Sequence, residues 1–152
     1  MMQHLPILQV ILPLLAAPLA ALVSRRHLAW HLTLAATAGA FAISLVLLAT
    51  ILRTGTPIIY DLGGWPAPIG IVYVIDSASA FVLPVVSGIG FVATLAARHL
   101  VLAEIDARDH PLFCAAWLLT LAGMLGQVTT GDAFNIFVFL EISSLSGYAL
   151  VA

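Results

Sequence analysis

Glu141 is the residue whose type and position most directly suggest chemistry. It stands in the middle of an apolar run that follows a Thr-Thr-Gly-Asp turn at 129–132. At about 1.5 Å per residue, Glu141 lies roughly 13 to 14 Å from Asp132 along a helix, close to the midplane of a hydrocarbon layer about 30 Å thick. An ionised carboxylate at that depth must be paired, protonated or turned toward water. We therefore predict that Glu141 is a functional residue that can bind and release a proton.

The neighbours of Glu141 offer it little local support. At i−4, i−3, i+3 and i+4 stand Phe137, Val138, Ser144 and Leu145, so Ser144 is the one possible polar neighbour. A carboxylic acid inside a membrane can be tuned by burial and by a nearby cation to exchange protons near neutral pH. The alternative is a buried acid that its neighbours merely satisfy, although intramembrane acids are functional by default.

Three other polar residues fit helix starts better than ion sites. Asp132 can cap the first turn of the helix that carries Glu141, and Asn135 three residues later is a weaker version of a capping-box partner. Asp76 interrupts the long apolar segment 69–97 and is interpreted as the N-cap of the third helix.

The composition identifies a membrane protein. Of the 152 residues, 62% are hydrophobic and 8% are charged, which excludes a soluble globular domain and a disordered chain. The chain has no lysine and a formal charge of −2, so a nucleic-acid partner is not expected. Cys114 lies in an apolar run, as a small buried hydrophobe would. The spacings typical of nucleotide, flavin, haem, iron–sulfur or metal sites are missing, and we expect no cofactor and no metal in this chain.

The apolar runs predict an all-α polytopic membrane protein, forming a single membrane domain over residues 1–152. We expect about five transmembrane helices, near 5–23, 28–52, 76–97, 111–128 and 132–152, and a short extramembrane hairpin near 56–68. The charged segment 98–110 is predicted to be a loop. The N-terminus lacks the basic start of a secretory signal, so the first run is interpreted as a retained helix.

The arginines predict the orientation in the membrane. Arg25, Arg26, Arg98 and Arg108 fall on one side of the predicted spans, and Arg53 alone falls on the other. Because short cytoplasmic loops are enriched in Lys and Arg, the side with four arginines is predicted to be cytoplasmic. The N-terminus, the hairpin and the turn before Glu141 are then expected to be extracytoplasmic, in a multi-pass protein of the cell inner (plasma) membrane.

Three stretches resemble a known family, the large proton-translocating subunits shared by Mrp-type cation/proton antiporters, respiratory complex I and membrane-bound hydrogenases. They are 61–71 followed by Asp76, the fourth span, and 130–150. Gly-Gly-Trp-Pro-Ala-Pro at 63–68 and Thr-Gly-Asp at 130–132 with Phe-Asn at 134–135 look closest to the D subunit of multisubunit sodium/proton antiporters. The resemblance covers nearly all of this chain but only an N-terminal portion of the family.

The resemblance implies a larger machine. Such subunits have about fourteen helices, including two inverted repeats of five. The chain would supply the three leading helices and the first two helices of the first repeat. Glu141 would be the fifth-helix glutamate that pairs with a lysine on the seventh helix, and that lysine is not in this sequence. The remainder is then expected on another chain or on a longer gene product.

Three functions follow as alternatives. The first is a subunit of a multisubunit cation/proton antiporter that moves protons, with or without sodium, in contact with other membrane subunits and the lipid bilayer. The second is a proton-pumping subunit of a complex I-like NADH:quinone oxidoreductase or a hydrogenase, whose redox chemistry would take place on other chains. The third is a structural or truncated subunit that moves no ions. A stand-alone carrier is disfavoured because five helices with one buried acid provide no second gate.

Overall fold

The part of the chain that the structure describes folds into five α-helices, a two-stranded hairpin and a short 3-10 helix at Leu62–Gly64. The computed structural model describes residues 4–23, 25–65 and 69–151. Its elements in chain order are α1 Leu5–Leu22, α2 Arg26–Thr54, β1 Ile58–Asp61, β2 Val72–Ile75, α3 Ser77–Glu104, α4 His110–Thr129 and α5 Ala133–Val151. All five helices are long and apolar enough to cross a membrane. The predicted all-α polytopic fold is therefore confirmed.

Local chemistry explains where α2 ends and α3 begins. Gly55 adopts a left-handed conformation with φ of 65°, and its N–H donates to the Ile51 carbonyl at 2.8 Å, which closes α2. Asp76 is the N-cap of α3. Its carboxylate accepts from the Ser79 N–H at 2.8 Å, and the Ser79 hydroxyl accepts from the Asp76 N–H at 2.8 Å. Hydrogen bonds from the backbone and side chain of Ser79 hold the pKa of Asp76 below its usual range.

The hairpin differs from the predicted one. The sequence predicts a hairpin near 56–68, whereas the observed hairpin spans 58–75. In it β1 pairs antiparallel with β2, with Ile58 opposite Ile75 and Asp61 opposite Val72. Residues 66–68 lie outside the described part of the chain. The second strand was missed because residues 72–75 are apolar and continuous in sequence with the third span. Pairing with β1, and not composition, separates β2 from α3.

The predicted loop 98–110 was also too long. Helix α3 continues to Glu104, so Arg98 and His99 lie on its last turns and the loop is confined to 105–109. Its 28 residues extend about 42 Å, which exceeds a hydrocarbon layer of about 30 Å. Neither Gly nor Pro occurs between residues 91 and 110 to stop the helix at the membrane surface. Hydropathy therefore identified the apolar part of α3 but not the end of the helix.

The N-terminus, the hairpin and the turn between α4 and α5 meet at one end of the bundle. His4 Nδ1 lies 2.9 Å from the Tyr60 hydroxyl, and Tyr73 of β2 forms an isolated bridge with Thr130. The loops after α1 and α3 lie at the opposite end, because each helix reverses the chain direction. The segments predicted to share one side of the membrane thus lie at the same end of the bundle.

Hydroxyl and amide groups join neighbouring helices inside the bundle. Ser44 of α2 and Ser87 of α3 lie 2.9 Å apart, and the Trp117 indole of α4 donates to Thr94 of α3 at 2.9 Å. Helix α1 instead packs through small residues. Cys114 of α4 is buried in the same apolar cluster as these residues. Small and hydroxyl-bearing side chains are the usual contacts between transmembrane helices.

Helix α5 lies at the edge of the bundle and packs mainly on α4. Two glycines of α4 make this contact close. A Cβ at Gly123 would lie 2.7 Å from the backbone nitrogen of Ser143, and a Cβ at Gly126 would collide with the ring of Phe139. The two helices therefore meet with no α4 side chain between them at these positions.

Substitution of Gly123 by Ala should destabilise the α4–α5 contact. The added methyl group meets backbone, which cannot rotate away, and overpacking of this kind costs about 1 to 3 kcal/mol. Thermal unfolding of the detergent-solubilised subunit should show a lower Tm. Gly147→Ala is the matched control, because a Cβ at Gly147 on α5 has nothing within 4 Å. An equal effect of the two substitutions would contradict the predicted close contact.

Substitution of Asp76 should reveal a pH-dependent cap. Asp76→Ala should lower the free energy of unfolding by about 1 kcal/mol. Asp76→Asn should lower it by less, because Asn retains a capping oxygen. Since the pKa of Asp76 is lower in the folded than in the unfolded chain, the stabilisation by its charged form is complete above the unfolded pKa, about 3.9. It is lost as the pH falls through the folded pKa. The Tm difference between the native protein and Asp76→Asn should thus shrink between pH 6 and strongly acidic pH, and a constant difference would refute the charged cap.

Candidate functional site

Asp132 and Asn135 build the start of α5. Asp132 Oδ1 accepts from the Asn135 N–H at 2.8 Å, and Oδ2 accepts from the Asn135 side-chain amide. Thr130 donates more weakly to Oδ2 at 3.4 Å. Partial burial opposes ionisation of Asp132, but the hydrogen bonds from Asn135 and Thr130 outweigh it and hold the pKa of Asp132 below its usual range. Both carboxylate oxygens are occupied by capping contacts.

The hairpin fixes the turn that precedes α5. The Gly131 N–H donates to the Val72 carbonyl at 2.8 Å, and a Cβ at Gly131 would lie 2.7 Å from a methyl group of Val74. Tyr73 of β2 is buried and packs on Phe139 of α5, with ring centroids 6.5 Å apart. Burial, and then the neighbouring Asp132 carboxylate, raise the pKa of the Tyr73 phenol. The first two turns of α5 are thereby held from the hairpin side.

Glu141 occupies the middle of α5, on the side turned away from the bundle. It follows Ala133 by eight residues, about 12 Å along a helix of 19 residues. Asn135, Phe139 and Ser146 form the buried side of α5. Glu141 is exposed. Its side of the helix also carries four exposed large side chains: Phe134, Phe137, Leu145 and Tyr148.

Glu141 has no partner in the described part of the chain. No hydrogen bond or salt bridge there reaches its carboxylate, and Ser144, the polar neighbour expected from the sequence, is not bonded to it. The structure brings Asp132 and Asn135 together, about two turns before Glu141, whereas Asp76 caps a different helix. The predicted site residues therefore form two helix caps and one isolated acid.

The residues that position α5 were not predicted from the sequence. Gln127 of α4 donates from Nε2 to the Ser143 hydroxyl at 2.9 Å and lies within 3.5 Å of the Phe139 carbonyl. About one turn further along α5, the Thr120 and Ser146 hydroxyls lie 2.9 Å apart. The signal available in the sequence was Gln127 itself, an amide near the end of an otherwise apolar span. These contacts attach the buried side of α5 to α4, and the side that carries Glu141 stays exposed.

Comparison with known proteins gives relatives that are several times longer. No protein-family model matches the chain. It is 42% identical to the N subunit of the NADH-quinone oxidoreductase of Desulforudis audaxviator, covering 100% of this chain and 30% of the relative. It is 35% identical to the D subunit of a probable K⁺/H⁺ antiporter of Rhizobium meliloti, covering 99% of this chain and 28% of the relative. The chain thus spans less than a third of the length of these relatives.

The fold is similar to that of a solved membrane complex. A chain of the Mrp complex from a Dietzia species superposes with a TM-score of 0.82 at 30% identity, covering 98% of this chain and 27% of the other. Sequence similarity and fold similarity thus extend over nearly the whole of the 152 residues. The chain therefore belongs, as an N-terminal portion, to the antiporter-like membrane subunits found in multisubunit cation/proton antiporters and in NADH-quinone oxidoreductases.

Proposed function

We propose that this chain is part of a subunit of a multisubunit cation/proton antiporter, in which Glu141 takes up and releases protons during ion exchange. The observation that carries the proposal is a carboxylate at mid-membrane depth, on the outer side of α5, with no partner in the described part of the chain. The antiporter relative from Rhizobium meliloti and the Mrp complex support the antiporter assignment.

The position of Glu141 implies a covering structure. Direct contact of a carboxylate with lipid at the bilayer centre is unfavourable by several kcal/mol, so the outer side of α5 faces further protein or water. The chain contains no lysine, and a lysine that pairs with Glu141 must come from a helix outside these 152 residues. In this proposal α1 to α3 are three leading helices, and α4 and α5 begin the first inverted repeat. Other membrane subunits complete the assembly.

The second candidate is a proton-pumping subunit of a complex I-like oxidoreductase. The observation that favours it is the 42% identity to the N subunit of an NADH-quinone oxidoreductase. The role of Glu141 in proton transfer would be the same, while the driving reaction would occur on other chains. The two candidates therefore differ in what drives the protons, and purified assemblies separate them. An antiporter exchanges cations for protons in a pH gradient alone, whereas a pump needs electron transfer.

The bundle is proposed to lie in the inner (plasma) membrane with the hairpin end outside. Arg53 lies in the last turn of α2 at the hairpin end. Arg25, Arg98 and Arg108 belong to the opposite end. The arginine excess therefore marks the end of the bundle away from the hairpin as cytoplasmic.

Substitution of Glu141 by Gln should abolish proton-coupled transport. The amide has nearly the same shape but cannot exchange a proton, so transport in everted vesicles that contain the full-length subunit in its assembly should fall to the level of vesicles without it. Glu104→Gln is the matched control, because Glu104 is the one other glutamate in the sequence and lies exposed at the end of α3. Unchanged transport by an assembled Glu141→Gln protein would reject the proton role and favour a structural subunit.

Cysteine labelling should establish the orientation. In a Cys114→Ala background, Thr56→Cys reports the hairpin end and Ala107→Cys the opposite end, and both positions are exposed. A membrane-impermeant maleimide should label residue 56 in intact cells and residue 107 only in everted vesicles. The reverse pattern would show that the hairpin end is cytoplasmic.

A further inference from the structure

Gln9 of α1 is a fully buried amide inside the bundle. Its side chain has 0% exposure, and neither Nε2 nor Oε1 has a hydrogen-bond partner in the described part of the chain. It lies four residues beyond Leu5, about 6 Å into a membrane-spanning helix. Buried side-chain polar groups are nearly always hydrogen-bonded, and each one left without a partner costs about 1 to 3 kcal/mol.

The main chain adds a third polar group at the same place. In a regular helix the carbonyl of residue 9 accepts from the N–H of residue 13, but residue 13 is Pro13, which has no N–H. Pro13 is buried on the same side of α1 as Gln9. The amide oxygen, the amide nitrogen and the freed carbonyl of Gln9 are therefore three polar groups on one turn of α1.

The environment of this turn is otherwise apolar. The next residue, Val10, is 1% exposed and packs in a cluster with Tyr73 and Phe139. On the other side of α1, Leu12 touches the backbone of α2 at Gly39, where a Cβ would lie 2.7 Å from its methyl group. Helix α1 packs against both α2 and α4, and the Gln9 side chain is fully buried in the bundle. Helices outside this chain cannot reach the enclosed amide.

From these contacts we infer that Gln9 binds an internal water molecule between α1 and its neighbouring helices. The ligand must be small, because the amide is completely enclosed. It must also accept a hydrogen bond from Nε2 and donate one to Oε1 or to the main-chain carbonyl. Water does both, whereas a bare cation accepts no hydrogen bond and an apolar solute makes none. The site lies on α1 and is independent of the proposed role of Glu141.

The water site has a structural consequence for α1. A water that bridges the side chain and the freed carbonyl supplies the hydrogen bond that Pro13 removes, as ordered waters do in other proline-containing transmembrane helices. The helix can then continue from Leu5 to Leu22 through the proline as one segment. Through the bound water, Gln9 thus compensates for the hydrogen bond that Pro13 removes.

The direct test is a cryo-EM map of the full-length subunit in its assembly, at a resolution that shows ordered waters elsewhere in the same subunit. We expect density about 2.7 to 3.2 Å from Nε2 or Oε1 of Gln9. The same density should be lost in Gln9→Leu. A Gln9 amide bonded directly to a protein group, or an amide with neither partner nor density, would overturn the inference. The map of the native protein decides even if the variant fails to assemble.

Thermal unfolding gives a second readout. If the Gln9 amide is hydrogen-bonded to water, Gln9→Leu removes favourable hydrogen bonds and should lower the Tm of the assembled subunit. If the amide is bare, Leu removes an unpaired polar group and the Tm should rise, which would contradict the water site. Gln127→Leu provides the comparison with an amide that binds protein groups directly, and it should lower the Tm without changing the density at Gln9.

Discussion

The close contact between α4 and α5 determines the orientation of every side chain on α5. Gly123 and Gly126 allow Phe139 and Ser143 to lie against the α4 backbone. Because a helix repeats every 3.6 residues, fixing this side also fixes the opposite one. Glu141 faces away from the bundle for that reason. A bulky residue at either glycine would force α5 to rotate or withdraw, and the acid would no longer face the same surroundings.

The hydrocarbon layer sets a second constraint, since polar groups there must find partners within the protein. Many hydroxyls in the spans do so by donating to a carbonyl of the preceding turn, as Thr33 and Thr129 do. Gln9 and Glu141 lack such partners in the described part of the chain for different reasons. Gln9 is enclosed, and only something as small as water can reach it. Glu141 is on the outside, where another helix can reach it.

The hairpin links the start of the chain to the helix that carries Glu141. Its strand β2 binds Gly131 through a backbone hydrogen bond and packs Tyr73 between Val10 of α1 and Phe139 of α5. Most contacts of α5 are with α4, so this extramembrane element supplies one of its few other attachments. The hairpin at one end of the bundle thus helps to orient a side chain in the middle of α5.

From the sequence alone we could predict the membrane class, five apolar helices, the helix caps at Asp76 and Asp132, and the position of Glu141 along its helix, because hydropathy, capping chemistry and helical rise are local properties. Three-dimensional packing was needed to show that β2 is separate from α3, that α3 continues to Glu104, and that Gln127 contacts α5. It also decided that Glu141 faces outward while Gln9 is enclosed. Local patterns place a residue along a helix axis, whereas packing against other helices sets the direction in which its side chain points.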